Sequence, residues 1–414
     1  MITTRFRKRS VVPAAIVAMS SATMLLATGC GGDQGPGSPT AQAAHERPVE
    51  RGSVISATSV ADLTAQEVKS HLKKAGIETA QVRYGVQAHR IIYRTVDTQR
   101  KPTTASELVA MPKNGPRELR AVSWLHGTQV YRGDVASVND KSTDRATALL
   151  FASTGRAVSA PDYLGLGKGP GSHPYGHPKA TVTASVDALR ATREFARRDG
   201  HTLARSVLIS GFSQGGPATM MVGRALQQGH DPSFRVGALA PIAGPFDLSG
   251  FEAAAADDDL NRSPLYLAYF ATAWNRMYGL YDTPSQAFRA PYDKKVETLF
   301  DGNHTGAEIA AALPRTSKEL FTADFLDKVR KPTGKLRRQL HALDTTCDWR
   351  PKAPVHLFHA KGDKDVSFAN SLHCRRQLIA NGVDPKLSDE GDVDHNTTVI
   401  KALPEVLREF DATR

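Results

Sequence analysis

The chain has 414 residues, of which 40% are hydrophobic and 23% are charged, so it can build a full core and is not a mainly disordered protein. Its three cysteines are too few for a disulfide-built scaffold or a four-cysteine zinc site. Lysine and arginine number 53 against 42 acidic residues, a net charge of +11 that raises the question of an anionic partner.

The N-terminus has the pattern of an export signal, because basic residues at positions 5–9 precede an apolar stretch at 11–27. The stretch ends in Leu25-Leu26-Ala27-Thr28-Gly29-Cys30, which resembles a bacterial lipobox, although Ala27 stands where leucine is preferred. We therefore predict a signal peptide at 1–29 and lipidation of Cys30. A plain secretory signal is the first alternative, and a permanent membrane helix is the least favoured one.

Residues 30–55 are rich in glycine, proline, serine and threonine, which predicts a flexible tether. Removal of the signal leaves 49 basic against 42 acidic residues, or +7. With Cys30 acylated, Cys347 and Cys374 remain, and in an oxidising compartment we predict a disulfide between them. Two unpaired structural thiols are the alternative. We expect the protein to face outward on the cell membrane through its lipid anchor, or to be secreted.

A single domain is predicted over 56–414. It begins with a helix over 60–75, with Thr64 as its N-cap and Gly76 as its stop. Three strands predicted to be antiparallel follow at 86–96, 106–111 and 120–125. Strands then alternate with helices, which predicts a mostly parallel sheet with helices on both faces. These strands lie at 156–160, 206–210, 236–242 and 355–359. The helices lie at 181–198, 214–228 and 368–381, and a final helix ends at 414.

Residues from about 246 to 345 break this rhythm, and we predict that they form a helical cap inserted between two core strands. Their aromatic residues either line a pocket or form the core of the cap, and helical spacing favours the core. These aromatic residues include Tyr266, Tyr269, Phe270, Trp274 and Tyr278. The basic run at 328–338 is predicted to be a solvated helix face, so a nucleic-acid partner is not expected.

The most informative stretch is 207–216, Val-Leu-Ile-Ser-Gly-Phe-Ser-Gln-Gly-Gly, in which an apolar strand leads directly into a helix. Gly211 and Gly215 stand two residues on either side of Ser213 and permit a strained turn with the serine at its tip. The helix that follows points free N–H groups and the positive end of its dipole toward this serine. We therefore predict that Ser213 is a nucleophile. A glycine-rich turn with an ordinary serine is the alternative.

A serine nucleophile needs a general base, and the base needs a carboxylate that orients it. A carboxylate is expected in the loop after a core strand, where Asp363 fits better than Asp365, which would then be a solvated loop charge. His395 precedes the last helix and is the only histidine after His373, which lies within a predicted helix. We predict His395 as the base. A capping or surface histidine is the alternative.

Acyl transfer also needs N–H donors for an oxyanion. One predicted donor is the backbone N–H of Gln214. The second is Thr128, with Gln129 next, because a strand ends in His126-Gly127 and Gly127 allows tight passage of the backbone. His126 is predicted to hold this loop through a ring hydrogen bond rather than to act in catalysis. His173 and His177 lack companions at ligand spacing, so we predict a proline-constrained loop near the site and no metal.

Five motifs in order resemble the α/β-hydrolase superfamily, and within it bacterial secreted lipase/esterase-like proteins related to the secretory lipase family. They are HGT at 126–128, PDYLGLG at 161–167, GFSQGG at 211–216, GDKDV at 362–366 and DH at 394–395. The resemblance covers about 80–414 apart from the insertion. It implies a Ser213–Asp363–His395 triad, carboxylic-ester substrates, and Asp162 and Tyr163 beside the oxyanion loop. Ser367 departs from the proline that many relatives have.

We therefore expect an exported serine hydrolase that acts on small-molecule or lipid esters without a metal or an organic cofactor. The alternatives are a peptidase or amidase, because the same triad serves amides, and a binding protein that keeps the fold without the chemistry.

Overall fold

The structure is a computed structural model that describes residues 50–413. The predicted signal peptide at 1–29, the predicted lipidation site Cys30 and most of the predicted tether lie outside the described residues. Among residues 50–413, no helix combines the length and apolar character that crossing a membrane would require.

A nine-stranded sheet forms the centre of the fold, with the strand order β1-β2-β3-β5-β4-β6-β7-β8-β9. The β1–β2, β2–β3 and β3–β5 pairs are antiparallel, and the pairs from β5–β4 to β8–β9 are parallel. The prediction of a mostly parallel sheet is confirmed. The strands are β1 Val54–Leu63, β2 Val86–Val96, β3 Pro102–Pro112, β4 Glu118–Leu125, β5 Ala157–Pro161, β6 Thr202–Phe212, β7 Arg235–Ile242, β8 His356–His359 and β9 Lys386–Asp389.

Helices cover both faces of the sheet. Side chains alternate across each strand, so Val122 lies in the core beneath α1, α2 and α13, while its neighbour Ala121 lies beneath α3, α4 and α12. The helices are α1 Ala65–Lys74, α2 Thr143–Ser153, α3 Pro178–Arg198, α4 Gly215–Gln227, α5 Leu248–Ala256, α6 Ser263–Tyr278, α7 Val296–Leu299, α8 Gly306–Ala312, α9 Ser317–Leu320, α10 Ala323–Arg330, α11 Gly334–Asp344, α12 Ala369–Ala380 and α13 His395–Ala412.

The predicted helix over 60–75 is partly wrong, because its first residues belong to strand β1. Helix α1 begins at Ala65, and Thr64 caps it as predicted, accepting a hydrogen bond from the N–H of Glu67. Strand β1 was missed because it is an edge strand with mostly exposed side chains, which leaves little apolar signal. The prediction that β4 is antiparallel is also wrong, because β4 pairs in parallel with β5 and β6.

Residues 50–55, the last part of the predicted tether, pack on the fold. The Arg51 side chain donates hydrogen bonds of 3.0 and 3.1 Å to the buried Asp187 carboxylate, and β1 begins at Val54. The polar composition of this segment concealed the strand.

Cys347 and Cys374 form a disulfide with their Cα atoms 5.2 Å apart. Both side chains are buried among the residues that pack beneath α3 and α4. The bond therefore ties the segment that follows α11 to helix α12.

Residues 246–345 contain helices α5 to α11, as expected for a helical insertion between β7 and β8. They have a hydrophobic cluster of their own, in which Tyr269, Phe270 and Trp274 are buried. The Tyr269 ring stacks on Tyr175 with ring centroids 4.4 Å apart, and its hydroxyl donates to the carbonyl of Gln129 at 3.0 Å. This inserted region therefore packs directly on the loop that follows β4.

Candidate active site

Ser213 lies at the tip of a tight turn between β6 and α4, in the left-handed region with φ of 55°. Its N–H donates to the carbonyl of Ile242 at 2.9 Å, which fixes the turn on the neighbouring strand β7. A Cβ atom on Gly215 would lie 1.9 Å from the carbonyl oxygen of Leu125, and one on Gly211 would lie 2.4 Å from the carbonyl oxygen of Gly215. Only glycine fits at both positions, which explains the spacing of the motif.

The loop after β4 lies against Ser213. A Cβ on Gly127 would be 3.3 Å from the Cβ of Ser213 and 3.2 Å from the Phe212 ring. Within residues 50–413, the backbone N–H groups of Thr128 and Gln214 donate to no protein acceptor. The two predicted donors are therefore free to bind an anion near the serine.

His395 and Asp363 meet in the structure. The Nδ1–H of His395 donates to Oδ2 of Asp363 at 2.6 Å, and both side chains are buried. The Phe212 ring packs on the imidazole with centroids 4.5 Å apart. The Nε2 atom of His395 is buried and has no hydrogen-bond partner within residues 50–413, so it can accept a proton from a group in the site.

Asp363 is held as a carboxylate. Its Oδ1 accepts the N–H groups of Asp365 and Val366, both at 2.9 Å, and its Oδ2 also lies 3.3 Å from Nε2 of His359. Burial alone would raise the pKa of Asp363, but the hydrogen bonds from His359 and His395 outweigh it and hold the pKa below its ordinary value of 3.8. This group is therefore negatively charged at neutral pH.

Asp365 points elsewhere. It forms an ion pair with Arg262, whose Nε lies 3.0 Å from its Oδ2, and it accepts a hydrogen bond of 3.1 Å from the Tyr266 hydroxyl. Arg262 and Tyr266 flank the start of α6, so Asp365 ties the inserted region to the loop after β8. It is buried, not the solvated loop charge that we predicted.

His126 is buried and lies between two carbonyl oxygens, with Nδ1 2.6 Å from Gly127 and Nε2 3.2 Å from Asp162. The Tyr163 ring packs on it with centroids 4.3 Å apart. The Asp162 side chain is buried too, where it accepts hydrogen bonds from the hydroxyls of Ser106 at 2.6 Å and Ser137 at 2.5 Å. These contacts hold the loop after β4 in place, and none of them involves Ser213.

A second histidine, His173, supports Gln214. Its Nδ1–H donates to the carbonyl of Leu164 at 2.8 Å, so its Nε2 can accept from the Gln214 amide, which lies 3.1 Å away. Burial lowers the pKa of His173 to about 3, so the ring is neutral in this arrangement. His173 lies near the site as predicted, and its partners are an amide and a carbonyl.

A cavity of about 390 Å³ is lined by four of the predicted residues. Ser213, His395, Gly127 and Thr128 line it on the side of the sheet. Arg262, Leu265 and Tyr266 line it on the side of the inserted region, and several polar residues at 134–144 complete the wall. Within the described residues, no group of three or more His, Cys, Asp or Glu side chains has the arrangement of a metal site.

Sequence reasoning missed several supporting contacts. His359 was treated only as part of a strand, although it donates to the carbonyl of Val366 at 2.9 Å beside Asp363. Ser106, Ser137 and the link between Arg262 and Asp365 were not identified either. The serine and arginine contacts join positions at least 25 apart in the chain. A serine or arginine carries no local signal that would reveal such a partner.

Glu252 on α5 is fully buried, and neither of its carboxylate oxygens has a partner within residues 50–413. Burial raises the pKa of Glu252 well above 4.5. The folded protein therefore keeps a proton that the unfolded chain releases above about pH 4.5. The free energy of unfolding consequently falls as the pH rises from about 4.5 toward the pKa of the buried carboxyl.

Replacement of Glu252 by glutamine should remove this loss of stability at higher pH, because an amide does not ionise. The gain in free energy of unfolding over the wild type should be absent at pH 4 and should then grow with a slope of up to about 1.4 kcal/mol per pH unit. Urea denaturation at several pH values measures it. The exposed Glu78→Gln variant is the control, and a gain for E252Q that does not depend on pH would contradict the explanation.

Comparisons with known proteins identify the fold. A protein of Legionella pneumophila assigned to the hydrolases is 26% identical, with a TM-score of 0.80 over 86% of this chain and 97% of that one. The rice cell wall degrading esterase LipA from Xanthomonas oryzae is 25% identical, with a TM-score of 0.77 over 88% and 98%. Candida antarctica lipase A in its closed state, 14% identical with a TM-score of 0.62 over 88% and 82%, is similar in fold alone.

No family model matches the chain, and no curated protein matches it significantly in sequence. The structural neighbours are hydrolases, esterases and lipases of the α/β-hydrolase fold. The chain therefore has this fold, as the five motifs predicted, and its neighbours support a hydrolase of the esterase or lipase type.

Proposed function

We propose that this protein of the α/β-hydrolase fold is an exported serine hydrolase that cleaves carboxylic esters through Ser213, His395 and Asp363. The observation that carries the proposal is the shared cavity, which is lined by Ser213, by His395 and by the loop that contains Thr128. Nε2 of His395 has no hydrogen-bond partner among residues 50–413. Asp363 lies behind the imidazole and bonds its Nδ1–H at 2.6 Å.

In the first step the Ser213 hydroxyl oxygen attacks the ester carbonyl carbon while Nε2 of His395 takes its proton. Asp363 keeps the proton of the neutral ring on Nδ1 and stabilises the imidazolium that forms. The carbonyl oxygen becomes an oxyanion that accepts hydrogen bonds from the N–H groups of Gln214 and Thr128. The intermediate collapses when His395 returns the proton to the departing alcohol, and an acyl group remains on Ser213.

Water then resolves the acyl-enzyme by the same route in reverse. His395 removes a proton from water, the hydroxide attacks the acyl carbon, and the carboxylic acid leaves as Ser213 regains its proton. The chemistry needs neither a metal nor an organic cofactor, because the serine, the base and the N–H donors supply every group. The substrate is a small-molecule or lipid ester, and the similarity to an esterase at 25% identity supports an ester rather than an amide.

A substrate panel combined with a covalent label tests this proposal. We expect the purified protein to hydrolyse p-nitrophenyl esters of short or long acyl chains faster than aminoacyl amides, and a fluorophosphonate to label Ser213, as located by mass spectrometry. A preference for amides would instead support a peptidase, and absence of labelling would support a non-catalytic binding protein.

Export and lipidation of Cys30 are part of the proposal and rest on the N-terminal sequence pattern. The intact mass of the protein from its native membrane tests them. We expect a mature chain that starts at diacylated Cys30. An unmodified chain that starts at another residue would overturn the lipid anchor and leave the hydrolase unaffected.

A further inference from the structure

A second cavity, of about 800 Å³, lies between helices α3 and α4 and is separate from the candidate active site. We call it the basic groove, because its lining contains five cationic side chains. Its floor is apolar and includes Val182, Val186 and Met221. The five cationic side chains are Arg51, Arg100, Lys179, Arg190 and Arg224. A groove with an apolar floor and a cationic lining has the chemistry to hold an anionic amphiphile.

Two of the five cations, Arg51 and Arg190, form one wall of the groove and are held there by the buried carboxylate of Asp187. Asp187 accepts from Nε of Arg51 at 3.0 Å, from a guanidinium nitrogen of Arg190 at 2.8 Å and from the Thr95 hydroxyl at 2.7 Å. Arg190 also pairs with Asp231 at 2.6 Å. This wall is therefore rigid and largely neutralised.

The other three cations, Arg100, Lys179 and Arg224, are exposed and form no ion pair with a carboxylate within residues 50–413. The carboxylate in the lining is Asp97, which accepts the backbone N–H groups of its own turn. Within the part of the chain that the structure describes, the groove therefore presents three cations without carboxylate partners to a ligand.

The position of the groove agrees with the predicted anchor. Arg51 is the second described residue and lines the groove, so the described part of the chain begins at this surface. Cys30 precedes it by twenty-one residues, a span of at most about 75 Å when fully extended. A lipid on Cys30 would therefore allow the groove to reach the membrane.

We infer that the basic groove docks on the anionic phospholipids of the membrane surface. The phosphate groups contact Arg100, Lys179 and Arg224, and the apolar floor takes the glycerol and upper acyl region of one lipid. Each basic residue near an anionic membrane contributes about 1 kcal/mol, so loss of all three should weaken binding about 100-fold. This inference does not depend on the chemistry at Ser213.

Co-sedimentation of the full-length protein with vesicles tests the inference. The vesicles contain either 30% phosphatidylglycerol in phosphatidylcholine or phosphatidylcholine alone, in low salt. The readout is the ratio of the two partition coefficients, because an acyl anchor contributes equally to both and cancels. The variant combines R100Q, K179Q and R224Q, and we expect its ratio to fall about 100-fold.

The matched control combines K73Q, K74Q and R408Q, which remove the same charge from exposed positions on α1 and α13, on the opposite face of the sheet. We expect this control to keep its ratio within about twofold, and unchanged hydrolysis of a soluble ester to show that both variants are folded. Equal losses in both variants, or no loss in the groove variant, would overturn the inference. Equal loss of binding to a soluble polyphosphate by the groove variant would also overturn it, because the partner would then be a soluble polyanion.

Discussion

Replacement of Ser213 by alanine is expected to lower kcat/KM for p-nitrophenyl esters by about 10⁴- to 10⁶-fold. Alanine removes the oxygen that forms the acyl bond and leaves the turn unchanged, because it adopts φ of 55° about as readily as serine does. The unfolding midpoint should therefore remain within about 1 °C of the wild-type value. Steady-state hydrolysis measures the loss of turnover, and fluorophosphonate labelling measures the loss of the reactive serine. Retained turnover would exclude Ser213 as the nucleophile.

The Ser213→Gly variant separates catalysis from backbone strain. Residues other than glycine in the left-handed region raise the free energy of the fold by about 1–2 kcal/mol, which glycine avoids, although glycine also gains freedom in the unfolded chain. We expect S213G to be as inactive as S213A and more stable than it by up to about 1 kcal/mol. A glycine variant less stable than S213A would show that the turn is not strained.

The nucleophile turn could be predicted from the sequence because its determinants are local. Gly211, Ser213 and Gly215 lie within five residues, and the clashes that exclude larger side chains arise from the same turn and the adjacent strand end. The preference for Asp363 over Asp365 also came from local spacing. In the structure the two carboxylates point to different partners, His395 and Arg262.

The supporting contacts could not be predicted because they depend on how distant loops meet. The Asp162 carboxylate binds the hydroxyls of Ser106 and Ser137, which lie 56 and 25 positions away in the chain. His173 and Gln214 are 41 positions apart. Hydrophobic periodicity describes which face of an element is buried but not which loop approaches it.

The order of the strands in the sheet could not be predicted from the sequence either. Strand β3 pairs with β5, not with β4, which follows it in the sequence, so β4 lies inside the sheet as a parallel strand. The β-branched runs separated by Pro, Gly and Asn predicted an antiparallel series of strands through β4, but such a local pattern does not reveal which strand lies beside which. The consequence for function is large, since the central position of β4 places the loop with Thr128 beside the end of β6, where Ser213 stands.

Replacement of Asp363 by asparagine is expected to lower kcat about 10³- to 10⁴-fold. The N–H groups of Asp365 and Val366 both donate to Oδ1, so the amide of asparagine must keep its oxygen there and turn its NH₂ group toward His395. Nδ1 of the imidazole then has to accept a hydrogen bond. This forces the ring proton onto Nε2, where it prevents the ring from taking the proton of Ser213.

Asp365→Asn is the matched control, because it removes a carboxylate from the same loop, two residues after Asp363. Its cost should appear as a loss of about 1–3 kcal/mol in free energy of unfolding, since Arg262 and Tyr266 lose a charged acceptor, with kcat lowered less than about tenfold. Steady-state kinetics and urea denaturation on both variants separate the two effects. The reverse pattern, with D365N inactive and D363N active, would assign the acid to Asp365, whereas equal losses of activity would show that the loop acts only through its structure. Because Asp363 alone contacts the imidazole while Asp365 contacts the inserted region, the geometry requires the two variants to differ in kind as well as in size.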